Sequence, residues 1–328
     1  MTSYTFRRPA MYLNAGEIAT IKGRLDREPW ARAFDRLMDS AAVALDREPD
    51  PVQGDCADTS ADRARLSRDC CAVRDLGLAF ALTGEERYAR RAAAYLIAWF
   101  GAMSPCFPSA PSVMDLCTTL PAMFYGVDLI WRSRGFTGED KAHLAAWADE
   151  LACDLEEKRP APHDSAAGWA LTFFAASALV VEDPRWFDLA FDGFRSSLAG
   201  QVEPDGRVTC QKGCAGGLSD ALLALKALTC LAEVARHQGI DLYNAVADGR
   251  NLKTTYLRHV PFLLGDEAWP GSERSVGESH TELYEIAFRV WGDEAFAGVL
   301  RQRGRNACDG RILGPVALTH GVELTGVA

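Results

Sequence analysis

Short turns built on glycine or an acidic residue recur at Gly84, Gly138, Asp183, Gly239 and Gly292, a spacing of about 50 residues. Such a period fits a stack of helical hairpins, and the stretch Asp164–Arg207 shows what one unit looks like. Asp164 and Ser165 are good N-caps for a helix that is apolar nearly all round (Trp169, Leu171, Phe173, Phe174, Leu179, Val180). The turn Glu182-Asp183-Pro184 stops that helix and starts another, with Asp183 as cap and Pro184 at the first helical position. In the second helix Trp186, Leu189, Ala190 and Phe194 form one apolar stripe, while Asp188, Asp192 and Arg195 fall away from it. Pro204-Asp205-Gly206 closes the unit with a turn. An inner helix buried all round and an outer helix buried on one face are the two walls of a layered all-α domain.

The same pattern runs through the rest of the chain. A helix over Ala15–Leu45 is interrupted at Glu28-Pro29, and a polar loop with two prolines occupies 47–62, too long for an ordinary hairpin connection. Inner and outer partners follow: Asp69–Leu82 with Arg87–Phe100, then Met114–Arg134 with Lys141–Glu157. The 164–206 unit comes next, then Leu218–His237 with Leu242–Leu264, broken near Pro261, and Leu283–Trp291 with Ala295–Arg303. No polar capping repeat marks either end, which favours closure over an open superhelix. The expected fold is therefore one (α/α) toroid of five to six hairpins over 1–328. Its cleft is expected at the end where the inner helices begin.

Composition narrows the function. A net charge of −10 argues against general nucleic-acid binding, and no charge-free apolar run of membrane-spanning length appears. The start MTSYTFRRPAMYLNAGEI has no apolar h-region, so the expected location is the cytoplasm. Ten cysteines invite a metal or disulfide reading. Yet Cys70 and Cys71 are adjacent, Cys210 and Cys214 are four apart, and the rest stand singly without a histidine at ligand spacing. Reduced thiols, no metal and no cofactor are expected.

The segments PAMYLNAGEIATIKGRL, LGLAFALTGEERYARRAAAYLIAW, ALVVEDPRWF with QVEPDGR, and GLSDALLALKALTCLAEVARHQGIDLYN resemble the alginate lyase family of polysaccharide lyases, over roughly residues 7 to 265. The resemblance implies the toroid fold and a lyase. The family typically carries Asn-Asn-His-x-x-Trp at the head of its central inner helix. Trp169 matches the Trp, implying a substrate contact, but Asp164, Ser165 and Ala166 stand at the Asn-Asn-His positions. After the Pro-Asp-Gly turn the family usually brings Arg, His and a catalytic Tyr. Here that segment is TCQKGCAGGLSDAL, with Lys212 as its one cation. A lyase of this kind needs a cation or amide on the uronate carboxylate and a Tyr or His to move the proton, so depolymerisation of alginate at an ordinary rate is not expected.

Other residues are left to carry chemistry. His163 beside Asp164 opens the central inner helix, where a base held by its neighbour is weighed against a cap and a solvated loop residue. Lys212 precedes an inner helix and is an anion-binding candidate. The densest polar cluster is WPGSERSVGESHTELYEIAF, with Glu273, Arg274, Glu278, His280 and Tyr284. Its helical spacing puts His280 and Tyr284 on one face as an acid–base pair, against a bland reading in which His280 is satisfied by a neighbouring carboxylate. Arg274 is a substrate-binding candidate, and so is Asp55 on the long loop. Together these give a cytoplasmic lyase-like enzyme that runs a base-promoted elimination, with or without ring closure, on a small polar metabolite in biosynthesis. The alternatives are a uronate polysaccharide lyase with relocated catalytic residues and a non-catalytic partner subunit. The expected ligand is a small molecule or saccharide, with no nucleic acid or membrane partner and room for a homo- or hetero-oligomer.

Overall fold

The computed structural model describes residue 4 and residues 6–55, 59–209, 217–270 and 280–324. Among these residues there are fourteen helices, eleven of which form two walls. The inner wall is α3 (Ser60–Thr83), α6 (Leu120–Ile130), α8 (Ser165–Val181), α10 (Leu218–His237) and α12 (Leu283–Trp291). Outside them lie α2 (Trp30–Asp46), α4 (Glu86–Phe100), α7 (Gly138–Glu157), α9 (Pro184–Gln201), α11 (Leu252–Leu264) and α13 (Glu294–Arg303). On the outside, α2 and α4 pack on α3, α7 and α9 on α8, α13 on α12 and α11 on α13, while α3, α6, α8 and α10 pack in succession. The short α14 (Val316–Thr319) touches α12, α2 and α1 (Ala15–Lys22), which brings the end of the chain back to its start. The architecture is the (α/α) toroid expected from the period.

Local chemistry explains the walls. Every residue of α8 except Val181 is buried, as its all-round apolar sequence requires. Glu182 ends α8 in the left-handed region (φ 62°), and the Asp183 carboxylate then accepts from the Arg185 backbone N–H at 2.8 Å to start α9. The inner wall is tight enough to need glycine. A Cβ on Gly126 of α6 would stand 2.4 Å from the Val73 carbonyl oxygen of α3.

Two expectations need correction. The inner helix foreseen over Met114–Arg134 is two helices, α5 (Ala110–Cys117) and α6, because Pro121 supplies no N–H to the turn before it. The partner foreseen from Leu242 begins only at Leu252, capped by Asn251, and Pro261 lies inside α11 rather than breaking it. The span Ala110–Ile130 is long and apolar enough to cross a membrane, but 83% of its 18-residue apolar window is buried in the protein as core. All seven described cysteines are free thiols.

Candidate functional site

The heads of α5, α8 and α10 converge on a cleft of ≈ 480 Å³. Its walls include Met114, Asp115, Asp164, Ser165, Asp220 and Leu223. Asp164 is held there as the N-cap of α8, its carboxylate accepting from the Ala166 N–H at 2.9 Å. The turn before it is pinned from outside. Gln201 Nε2 donates to the carbonyls of Pro162 (3.3 Å) and Asp164 (3.1 Å), and Gly200 lets α9 come close, since a Cβ there would lie 3.0 Å from the Pro162 carbonyl. Asp220, in the first turn of α10, accepts from the Gly217 N–H at 3.4 Å. Asp115 lies 3.5 Å from Arg63, the cation at this rim among the described residues. The cleft is thus lined by three carboxylates, two of them held at helix starts.

Of the sequence candidates, Asp164 lines this cleft. His163 is exposed in the turn just before it. Trp169 is fully buried in the core of α8, so a substrate contact there is not what the structure shows. Asp55 is exposed and takes a Cys106 thiol contact at 3.5 Å, away from the cleft walls. Lys212, Arg274 and Glu278 lie outside the described residues. The expectation that His280 and Tyr284 share a helix face is corrected. His280 sits in a turn with φ 73°, and α12 begins only at Leu283. Tyr284 is fully buried, stacked edge-on against Tyr256, with its hydroxyl donating to the Tyr256 carbonyl at 3.1 Å. It is a core residue because its aromatic ring fills the α11–α13 interface side, beside Phe296.

Sequence reasoning missed a buried charged cluster on α10. Lys226 of α10 donates to Glu282 and, at 2.9 Å, to Asp309, and all three are essentially buried. The Asp309 carboxylate also accepts the N–H groups of Ile312 (2.9 Å) and Leu313 (2.7 Å). Lys226 and these N–H groups, outweighing burial, hold Asp309 below the ordinary carboxylate range. Burial pushes Glu282 up, against the pull of Lys226. One signal was available: Lys226 is the single charged residue in the mostly apolar run Ala221–Ala232.

The other end of α10 carries a denser cluster. Glu233 accepts from Arg236 (2.6 Å), Arg289 (2.6 Å) and Tyr243 (2.6 Å). Glu17 accepts from Arg236 (2.5 Å) and from the Asn14 N–H (2.8 Å), and stands 2.9 Å from His237 Nε2. The donor atoms of Glu17, Glu233 and His237 lie within 4.8 Å of one another, close enough for a metal ion. Their oxygens, however, are already spent on two guanidinium groups, a phenol and a backbone N–H. A divalent ion would have to expel those cations, so the cluster is an ion-pair clamp joining α1, α10 and α12.

The alginate lyase family model matches residues 46–269. No curated protein matches the sequence. Solved structures share the fold: an alginate lyase from Bacteroides ovatus has 18% identity, covering 96% of this chain and 100% of that one, with a TM-score of 0.80. Alginate lyase A1-III from Sphingomonas species A1 has 16% identity, 96% coverage of each chain and a TM-score of 0.77. A variant of alginate lyase A1-III in complex with a tetrasaccharide matches at 16% identity, 97% coverage of each chain and a TM-score of 0.78.

Proposed function

Because the chain belongs to the alginate lyase family, we propose that it is a carbon–oxygen lyase acting on a saccharide, with proton-transfer groups other than those of the usual family motif. One observation carries the reading. The positions where the family motif would stand, Asp164, Ser165 and Ala166, line an open cleft rather than being filled in. A polyuronate lyase with relocated groups needs such a cleft, and a chain kept only as scaffold does not.

The lining adjusts the substrate. Asp115, Asp164 and Asp220 repel a polymer that carries a carboxylate on every sugar, and Arg63 supplies the counter-charge among the described residues at the rim. That favours a short or weakly charged saccharide, and it keeps the small polar metabolite as the second reading. In either case the chemistry is the same: a proton leaves the carbon next to an electron-withdrawing group, a double bond forms, and the β-oxygen departs.

The test is to offer the purified chain polymeric alginate, defined short oligouronates, their methyl esters and neutral saccharides, following ultraviolet absorbance of the new double bond. Short or esterified substrates are expected to react faster than the polymer. If no saccharide gives an elimination product while saccharide binding is retained, the lyase reading gives way to a non-catalytic role.

A further inference from the structure

The turn that opens α8 is a thin wall. On one side lies the cleft, lined there by Asp164, Ser165 and Ala166. On the other lies a second cavity of ≈ 280 Å³, lined by Pro160, Ala161, Pro162, Ala167 and, from α9, Ser197. With a cavity on each side, packing alone gives this segment little to rest on. Two residues at the end of α9 grip it instead. Gln201 is 1% exposed, and its Nε2 donates to the carbonyls of Pro162 (3.3 Å) and Asp164 (3.1 Å). Both neighbours are acceptors, so the amide cannot be turned round without setting oxygen against oxygen. Gly200 meets the same turn from outside: a Cβ there would stand 3.0 Å from the Pro162 carbonyl and 3.1 Å from the His163 nitrogen. The Gln201 backbone carbonyl also accepts from the Thr209 N–H at 2.9 Å, beside the Val202–Val208 bridge, which fixes the residue itself.

We propose that Gln201 is a positioning residue of the cleft, setting the place of the 162–166 wall and through it the Asp164 carboxylate. This inference rests on the lyase reading above. Gln201 stands behind the wall and acts on a ligand only through it. The Asp164 carbonyl that it holds also accepts the Ala167 N–H (3.0 Å), and the Asp164 side chain accepts that of Ala166 (2.9 Å). Loss of the two amide bonds lets the head of α8 shift. A displacement of about 1 Å among groups that orient a substrate costs about 10²-fold in rate.

The first arm of the test needs no substrate. Gln201→Met keeps the bulk of the side chain and removes both donors. Hydrogen exchange is expected to quicken at least about tenfold at the Ala166 and Ala167 N–H groups, and to stay unchanged at Phe173 and Phe174 in the middle of α8. Unchanged exchange at Ala166 and Ala167, or equal quickening all along α8, overturns the proposal whether or not a substrate is known. In the second arm, folded Gln201→Met, melting within a few degrees of the parent, is expected to lose about 10–100-fold in turnover. Gly200→Ala favours the helix but pushes the same wall away from α9, so turnover is expected to fall with no loss of melting temperature. A Gln201→Met protein that turns over within twofold of the parent overturns the proposal. So does a loss confined to Gln201→Met with Gly200→Ala at the parental rate, because the place of the wall would then not matter. Failure of the lyase reading shows separately, as a parent protein without elimination product.

Discussion

The two ends of α10 are built from the same kinds of residue and do opposite things. At the C-terminal end, every oxygen of Glu233 and Glu17 faces a donor, and the charges cancel within a closed network. At the N-terminal end, Asp220 spends one oxygen on a weak cap, Asp164 accepts one backbone N–H, and both carboxylates face open volume. Further along α10, Lys226 engages two buried carboxylates, Glu282 and Asp309. The lesson is that charge density does not identify a site. Saturation of hydrogen-bonding capacity marks a clamp, and unspent capacity beside a cavity marks a place where a ligand can be met.

That comparison breaks first at the clamp. Glu233→Ala strips the shared acceptor from Arg236, Arg289 and Tyr243, leaving the buried Tyr243 hydroxyl unpaired and crowding both guanidinium groups onto Glu17. A loss of about 3–5 kcal/mol is expected in denaturant unfolding, with the activity of the surviving folded fraction unchanged. A loss below about 1 kcal/mol would mean that the network is loose and that the two ends do not differ as described.

Acid sharpens it next. His237 and Arg236, outweighing burial, hold Glu17 down to about 2 from 4.5, so its stabilising charge is fully present above about pH 4.5 and is lost as pH falls toward 2. Burial lowers His259 from 6.5 to about 4, so the unfolded chain binds its proton first and stability already declines between those values on acidification. The expected record is a two-stage acid loss, each stage about 1–3 kcal/mol. Glu17→Gln should shrink the lower stage, which Asp309 and Glu233 share because their folded-state pKa values are lowered too, and leave the upper one, as followed by melting temperature against pH. An unchanged lower stage in that variant would sever Glu17 from the clamp.

The smallest effect belongs to the cleft end. Asp164→Ala should cost about 1 kcal/mol through loss of the α8 cap, while Asp164→Asn, itself a good cap, should cost a few tenths. If both substitutions destabilise by several kcal/mol, Asp164 is a buried structural acid and not a cleft residue.

Much of the fold was legible because it is local. Gly84, Asp183 and Gly292 end or start helices through their own backbone preferences, and the apolar run from Ala166 to Val180 announces a helix buried on all sides. The division at Thr118-Thr119 was harder, since apolar residues continue across it and only Pro121 betrays the break. The site was mostly illegible. Lys226 meets partners 56 and 83 positions away, a pairing that no periodicity encodes. Tyr284 looked chemical beside His280, yet two residues of turn separate His280 from the first residue of α12, and this rotates the phenol into the core. Asp164 was readable from sequence because its role as a cap and its place on the cleft wall have one cause, the start of an inner helix.

The central claim is that reaction takes place in the cleft between the heads of α5, α8 and α10. Leu223 lines that cleft and is half-buried, so Leu223→Trp adds an indole where substrate would sit with little demand on the core. The direct measurement is turnover of the best saccharide substrate by this variant, alongside its melting temperature. The account predicts turnover reduced at least about tenfold, the consequence of excluding a ligand by more than about 1.4 kcal/mol, with melting within a few degrees of the parent. A folded Leu223→Trp protein that reacts at the parental rate would contradict it.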